Sequence, residues 1–149
     1  MKKANVLLIS NFLSNIKLNK FDKETRSAII RNSLAVSKIS KEIEDSVQEA
    51  RKRLSEGIED EITKLAEYRE RFKTASEEDR LILIHDATNN CPRAISFEKE
   101  LNDFVNALGQ EEVDITFIVV DKDTFVDQCA DADIDITPAM IELFNEMFN

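Results

Sequence analysis

Apolar residues recur through the middle of the chain at Val36, Ile39, Ile43, Val47, Ala50, Leu54, Ile58, Ile62, Leu65, Tyr68 and Phe72, ten steps over 36 positions. The mean step of 3.6 is the period of a straight α-helix; a heptad seam, at about 3.5, would supercoil to the left. Lys, Glu, Arg, Asp, Gln and Ser fill the positions between, with i,i+4 pairs such as Lys38–Glu42 and Glu67–Arg71, each adding roughly 0.2–0.5 kcal/mol. The stretch has a start signal in Phe21-Asp22-Lys23-Glu24, where Asp22 can accept from the first free amides and Glu24 suits the positive end of the helix dipole. From Asp22 to Thr74 there is no proline and one glycine, Gly57.

Gly57 decides the shape of this stretch. Glycine costs about 1 kcal/mol inside a helix and often marks a helix end, yet the apolar phase runs through it unshifted from Leu54 to Ile58 to Ile62. The pattern therefore favours one continuous helix over two joined at residues 55–59. A helix of some 50 residues would be ~75 Å long, against roughly 40 Å for a compact chain of this size. Either the chain folds back at Gly57 or part of the stripe is buried against another chain.

On either side the elements are shorter. Val6, Ile9, Leu13 and Ile16 lie on one helical face, although Val6–Ile9 alone also fits a strand, and Leu18–Phe21 makes the turn into the long stretch. Ser76 is an N-cap followed by Glu77, Glu78 and Asp79, opening a helix to about residue 90; its run Leu81–Ile84 would also fit a buried strand, and Pro92 ends it either way. Ser96 is placed as the cap of a helix with Phe97, Leu101, Phe104, Val105 and Leu108 on one face, closed by Gly109. Val113–Val120 is rich in β-branched residues and reads as a strand in need of a partner: Val6–Ile9, Leu81–Ile84 or the same strand of another subunit. A helical turn at 123–127 and a last helix with Thr137 as cap and Pro138 in its first turn complete the chain. The fold class is mainly α, with a minor α+β component: a long central helix or helical hairpin, shorter packed helices, and one or two short strands near the C-terminus. The organisation expected is a single domain with residues 1–75 forming the helical part and 76–149 an acidic part packed on it.

Composition supports a charged helical protein: 42% apolar, 34% charged, two glycines, two prolines and no tryptophan in 149 residues. The net charge of −10 hides a polarity. Residues 1–53 hold 12 Lys and Arg against 6 Asp and Glu, whereas residues 54–149 hold 8 against 24. Such halves can attract each other within a chain or between neighbours, although solvated helix faces explain them more simply. Cys91 and Cys129 sit in no metal or redox motif and read as free thiols in a reducing compartment. The apolar run Val6–Ile9 after Lys2-Lys3 stops too early for a secretory signal, and no run approaches the ~20 residues of a membrane span.

Little here marks catalysis. His85 is the only histidine, and it reads as structural; if the chain were an enzyme, His85 would be the position to test. Asp131, Asp133, Asp135 and Glu142 fall at the first, third, fifth and twelfth places of a calcium loop, but the sixth place holds Ile136 instead of glycine, so no metal site is assigned. With two glycines there is no phosphate-cradling loop, and no cofactor is implied. Lys17, Lys20, Lys23, Arg26 and Arg31, with Lys38 and Lys41, form the one basic concentration; lacking interleaved aromatics beyond Phe21, it suits a protein or self-contact better than nucleic acid. The candidate contact residues are thus Lys17, Lys20, Lys23, Arg26 and Arg31 together with Asp131, Asp133 and Asp135.

Two stretches, Asn11-Phe12-Leu13 through Arg31-Asn32-Ser33-Leu34, and Asp121–Phe125 with Ile136-Thr137-Pro138-Ala139-Met140-Ile141, give the layout a resemblance to small uncharacterised helical proteins encoded by bacteriophages and prophages. The resemblance covers the first 55 residues and the last 35 or so, and carries over no catalytic residue. It implies an accessory or virion-assembly role, in the bacterial host cytosol or in the particle. The function expected is therefore non-enzymatic, through contact with a protein partner, with further copies of the chain, or within a larger assembly, and without membrane association. The alternative is an acidic inhibitor or DNA-mimic decoy of a host nucleic-acid-binding protein, since residues 76–149 carry 18 acids against 4 bases.

Overall fold

Caps and breakers divide the chain, described over residues 1–149 in a computed structural model, into seven α-helices. These are α1 (Lys3–Asn15), α2 (Lys23–Ser55), α3 (Glu59–Thr74), α4 (Glu77–Asn90), α5 (Pro92–Gln110), α6 (Lys122–Asp131) and α7 (Pro138–Leu143), with 3-10 turns at Leu18–Lys20 and Asn145–Met147. The mainly α class holds, and no helix is long and apolar enough to cross a membrane. Asp22 caps α2 by accepting from the amides of Glu24 (2.7 Å) and Thr25 (3.0 Å). Ser76 caps α4, and Thr137 caps α7 with Pro138 in its first turn. Val6–Ile9 and Leu81–Ile84 are both helical.

Four expectations are corrected. The central helix is not continuous: α2 stops at Ser55, and Gly57 takes φ 75°, the left-handed conformation in which glycine avoids the Cβ penalty. The stripe survives the break because Leu54, Ile58 and Ile62 all pack on one cluster with Ala50, Phe97 and Leu101; its period records the buried face and not the path of the chain. Ser96 is no cap. Its helix begins a turn earlier, at Pro92, and Ser96 lies inside it with its hydroxyl 3.1 Å from Glu100. Gly109 lies within α5, which runs to Gln110. Residues 113–120 belong to no sheet: isolated bridges stand at the two ends of the run, Glu112 with Lys2 just before it and Val120 with Phe148 at its close.

The chain forms two compact units, Met1–Glu44 with Leu108–Asn149, and Asp45–Ala107. The division drawn from sequence at residues 75 and 76 falls inside the second. In the first unit, Val6, Ile9 and Leu13 of α1, Ala28, Ile29 and Val36 of α2, Phe125 and Cys129 of α6, and Phe144 and Met147 share one buried cluster. Aromatic contacts run through it, Phe21 to Phe125 at 6.0 Å and Phe125 to Phe148 at 5.4 Å between ring centres. Along 113–117 the side chains alternate: Val113, Ile115 and Phe117 pack against this cluster, while Asp114 and Thr116 are exposed. Period two is the signature of extended chain.

Extended chain without a sheet must satisfy its amides otherwise. Asn32, on α2 and 1% exposed, supplies the substitute. Its Nδ2 donates to the Ile118 carbonyl at 2.9 Å, and the Ile118 N–H donates to its Oδ1 at 2.8 Å, so one side-chain amide takes the place of a neighbouring strand. In the second unit, α3 packs along α4, with Leu65, Cys91 and Ala94 buried together. Here α5 has no cap of its own and borrows one. The Glu61 carboxylate on α3 accepts from the amides of Arg93 (2.9 Å) and Ala94 (3.3 Å) and from Arg93 Nε (2.6 Å). The Arg93 contact in particular holds the Glu61 carboxyl below its ordinary range. Arg69 grips Glu98 through both carboxylate oxygens, which raises the Arg69 pKa.

Replacing Asn32 with alanine strips both Ile118 groups of their partner and should lower stability to urea by about 1–3 kcal/mol. Asn32→Asp should do more damage at neutral pH, because a carboxylate cannot donate to the Ile118 carbonyl and brings a charge into a buried place. A loss under about 0.5 kcal/mol for Asn32→Ala would show that the segment holds its position without this residue.

Candidate contact surfaces

All eight contact candidates lie in the first unit. Lys17 and Lys20 flank or sit on the first 3-10 turn, which packs on α6; Lys23, Arg26 and Arg31 follow on α2. The Arg26 guanidinium donates back to the Phe21 carbonyl at 2.7 Å, so it closes the turn into α2. Asp131 ends α6, and Asp133 and Asp135 follow it. No ion pair joins a member of the basic set to Asp131, Asp133 or Asp135. The contact that does tie the two regions together is neutral in part: Gln128 Nε2 on α6 donates to Asp22 Oδ2 at 2.6 Å, and the Asp22 amide donates to Gln128 Oε1 at 3.2 Å.

The acidic loop is a helix stop. The Ile134 N–H donates to the Cys129 carbonyl (2.9 Å) and the Asp133 N–H to that of Ala130 (3.1 Å), the six-to-one and five-to-two bonds of a Schellman motif. Asp133 takes φ 55°, the one non-glycine residue with positive φ in the chain. Ile134 and Ile136 turn inward onto the apolar cluster of the first unit. No three acidic, histidine or cysteine side chains converge there or elsewhere to hold a metal ion. His85 is exposed on α4, its ring 3.6 Å from Asp86 and 3.2 Å from Asn89. Cys91 and Cys129 are buried free thiols, and burial pushes the Cys129 thiol up to about 11.

Two apolar surfaces went unrecognised in the sequence. In the first unit, α1 and α7 leave a groove of about 610 Å³ floored by Phe12, Met140 and Phe144, with Asn11 and Asn15 at its edge. In the second unit, α4 buries Leu83 alone from its apolar run. Leu81, Ile82 and Ile84 are 71%, 58% and 53% exposed, with Phe72 and Ile95 also exposed. Full burial of such a side chain is worth roughly 1.5–3 kcal/mol, so the helix forgoes much of what these three residues could contribute. The signal for the face was available: in a helix, four consecutive apolar residues cannot all point to one side. No protein-family model matches the chain, and neither a curated protein nor a solved structure does.

Two predictions concern this acidic region and the cap beside it. Asp133→Gly should stabilise the protein by about 0.5–1 kcal/mol, by removing the Cβ from a left-handed residue, whereas Asp133→Ala should give no gain; equal urea midpoints for the two variants would dismiss the cost of the left-handed backbone. The hydrogen bond from Gln128, reinforced by Thr25, holds the Asp22 carboxyl far below its usual range. A depressed carboxyl stabilises the fold above its unfolded pKa of about 3.9 and loses that contribution as pH falls toward the folded value. Urea midpoints should therefore be flat from neutrality to about pH 5 and drop below about pH 4. The drop should be shallower in Asp22→Asn, and matching curves would dismiss the linkage.

Proposed function

We propose that this protein is non-enzymatic and works by contact, as a structural, assembly or accessory component of the kind small phage-encoded helical proteins provide, in the bacterial host cytosol or as part of the virion. The observation that carries the reading is the apolar face of α4, where Leu81, Ile82 and Ile84 stand more than half exposed. Large aliphatic side chains left this exposed within one turn of a helix are what a protein interface covers. It is supported by the use made of the charged side chains, which go into capping helices and closing turns, as at Asp22, Ser76–Asp79, Glu61 and Asp121.

The acidic-decoy alternative rests on charge count. A mimic of DNA needs a surface of one sign, and against this the loop at Asp131–Asp135 follows α6, on which the turn carrying Lys20 packs. The two readings separate in one set of measurements. The triple variant Leu81→Ser, Ile82→Ser, Ile84→Ser should keep the helical circular dichroism of the parent, since none of the three is buried. It should lose at least tenfold in affinity for the particle or host component that the parent binds, and leave any competition with DNA untouched. A parent protein that forms no complex with particle or host components, or a variant that binds as well as the parent, would remove the contact reading through α4.

A further inference from the structure

The groove between α1 and α7 in the first unit, about 610 Å³ in volume, is cut into the core itself. Phe144 on its floor is fully buried, and Phe12 meets it at 4.8 Å between ring centres. None of the ten lining residues is charged, although 34% of the chain is. The polar ones are Asn11 and Asn15, one turn apart on α1. Asn15 Nδ2 donates to the Asn11 carbonyl at 2.7 Å and to Asn11 Oδ1 at 3.2 Å. These bonds fix both carboxamides. A carbonyl can only accept, so Asn15 must use its Nδ2 there and keeps Oδ1 in reserve; Asn11, whose Oδ1 is taken, keeps Nδ2. Side by side at the edge of an apolar groove stand one donor and one acceptor that make no bond within the chain.

We propose that this groove binds a small neutral molecule with an apolar body and an amide head. The volume falls within the roughly 300–1,000 Å³ of small-molecule sites, which combine apolar walls with a few placed polar groups. Phe12, Phe144 and Met140 take the body, through ring faces and a flexible thioether. The carbonyl of the head accepts from Asn11 Nδ2, and its N–H donates to Asn15 Oδ1. Neither kind of ion fits as well. A carboxylate has no proton for Asn15 and an ammonium no acceptor for Asn11, and either gives up hydration beside walls that hold no opposite charge. The site lies in the first unit and α4 in the second, so it adds a ligand to the contact reading without depending on it.

A neutral dye that fluoresces in apolar surroundings, N-phenyl-1-naphthylamine, should saturate at one molecule per full chain. Octanamide should displace it at about a tenth of the concentration needed of octanoate or of octylammonium, the effect of one mismatched hydrogen-bonding group. The chain's net charge of −10 repels one ion and attracts the other, so bulk charge cannot produce that order. Ala139→Trp, at a small and exposed lining residue, should abolish dye binding and leave the helical circular dichroism unchanged. Asn11→Leu should keep the dye but need about tenfold more octanamide to displace it. Failure of the dye to saturate overturns the proposal, as does displacement by either ion at the octanamide concentration, or parent affinity in Ala139→Trp. Unchanged octanamide binding in Asn11→Leu would make the groove a seat for any apolar side chain, and dye expelled as chain concentration rises would make it a seat for a second copy; each overturns the assignment. Loss of the dye from the α4 serine variant would place it on α4 and do the same, while that variant's affinity for particle or host components reads the contact function by itself.

Discussion

The two hydrogen bonds between Asn32 and Ile118 set the terms for the first unit. A helix cannot normally pair with an extended segment, because its own amides are already used within it. A buried asparagine escapes this restriction by presenting a donor and an acceptor side by side, the same pair a strand would present. Once Ile118 is held against α2, Phe117 and Ile115 reach the apolar cluster and Val120 meets Met147 and Asn149. The segment's other end meets Met1–Lys3. The unit is thus assembled from residues 1–44 and 108–149, parts of the chain remote in sequence, around a segment that has no sheet to belong to.

That arrangement explains which parts of the fold could be read in the sequence. Asp22, Ser76 and Thr137-Pro138 announce helix starts because a cap acts within three residues of itself, and local chemistry is legible locally. The apolar stripe was legible for the same reason: burial on one helical face repeats every 3.6 residues whatever lies opposite. Ser96 misled because Ser-Phe-Glu-Lys-Glu looks like a cap, while the cap in use, Glu61, lies on another helix more than 30 residues away. Val113–Val120 misled because β-branched residues report an extended chain and not the identity of its partner. A clue to that partner did exist. Asn32 falls on the buried phase between Ile29 and Val36, and a polar residue there demands a partner that the sequence does not name.

Charge, conspicuous in the composition, does local work. The polarity between residues 1–53 and 54–149 raised the prospect of attraction between halves, but the ion pairs that form are few, and the consequential carboxylates are those that cap: Asp22 for α2, Glu61 for α5, Asp121 for α6. Capping carboxylates interact with fixed dipoles at short range and are screened less than pairs of mobile side chains on a surface. The triplet Asp131, Asp133 and Asp135 shows how a suggestive pattern arises from such use. Alternation put Ile134 and Ile136 inward and left the acids outward, and Asp133 holds a left-handed backbone position that aspartate tolerates better than most residues.

Sequence reading singled out charged residues and passed over the exposed apolar ones, and the reason lies in what burial leaves over. Leu81–Ile84 is apolar on all sides of a helix that has one packed neighbour along its length, so the fold can use Leu83 and must leave the rest. A sequence under no constraint but stability would place polar residues at 81, 82 and 84, as it does at every exposed position of α3 but Ala66 and Phe72. Retaining aliphatic residues there makes sense where the surface is covered in use. The backbone at 114–119 raises the same question in polar form: apart from Ile118, its donors and acceptors exchange no hydrogen bond within the chain, beside residues 111–113 that are paired. Exposed apolar side chains and unpaired backbone are unlike in chemistry, yet each is a surface that one copy of this chain leaves uncovered.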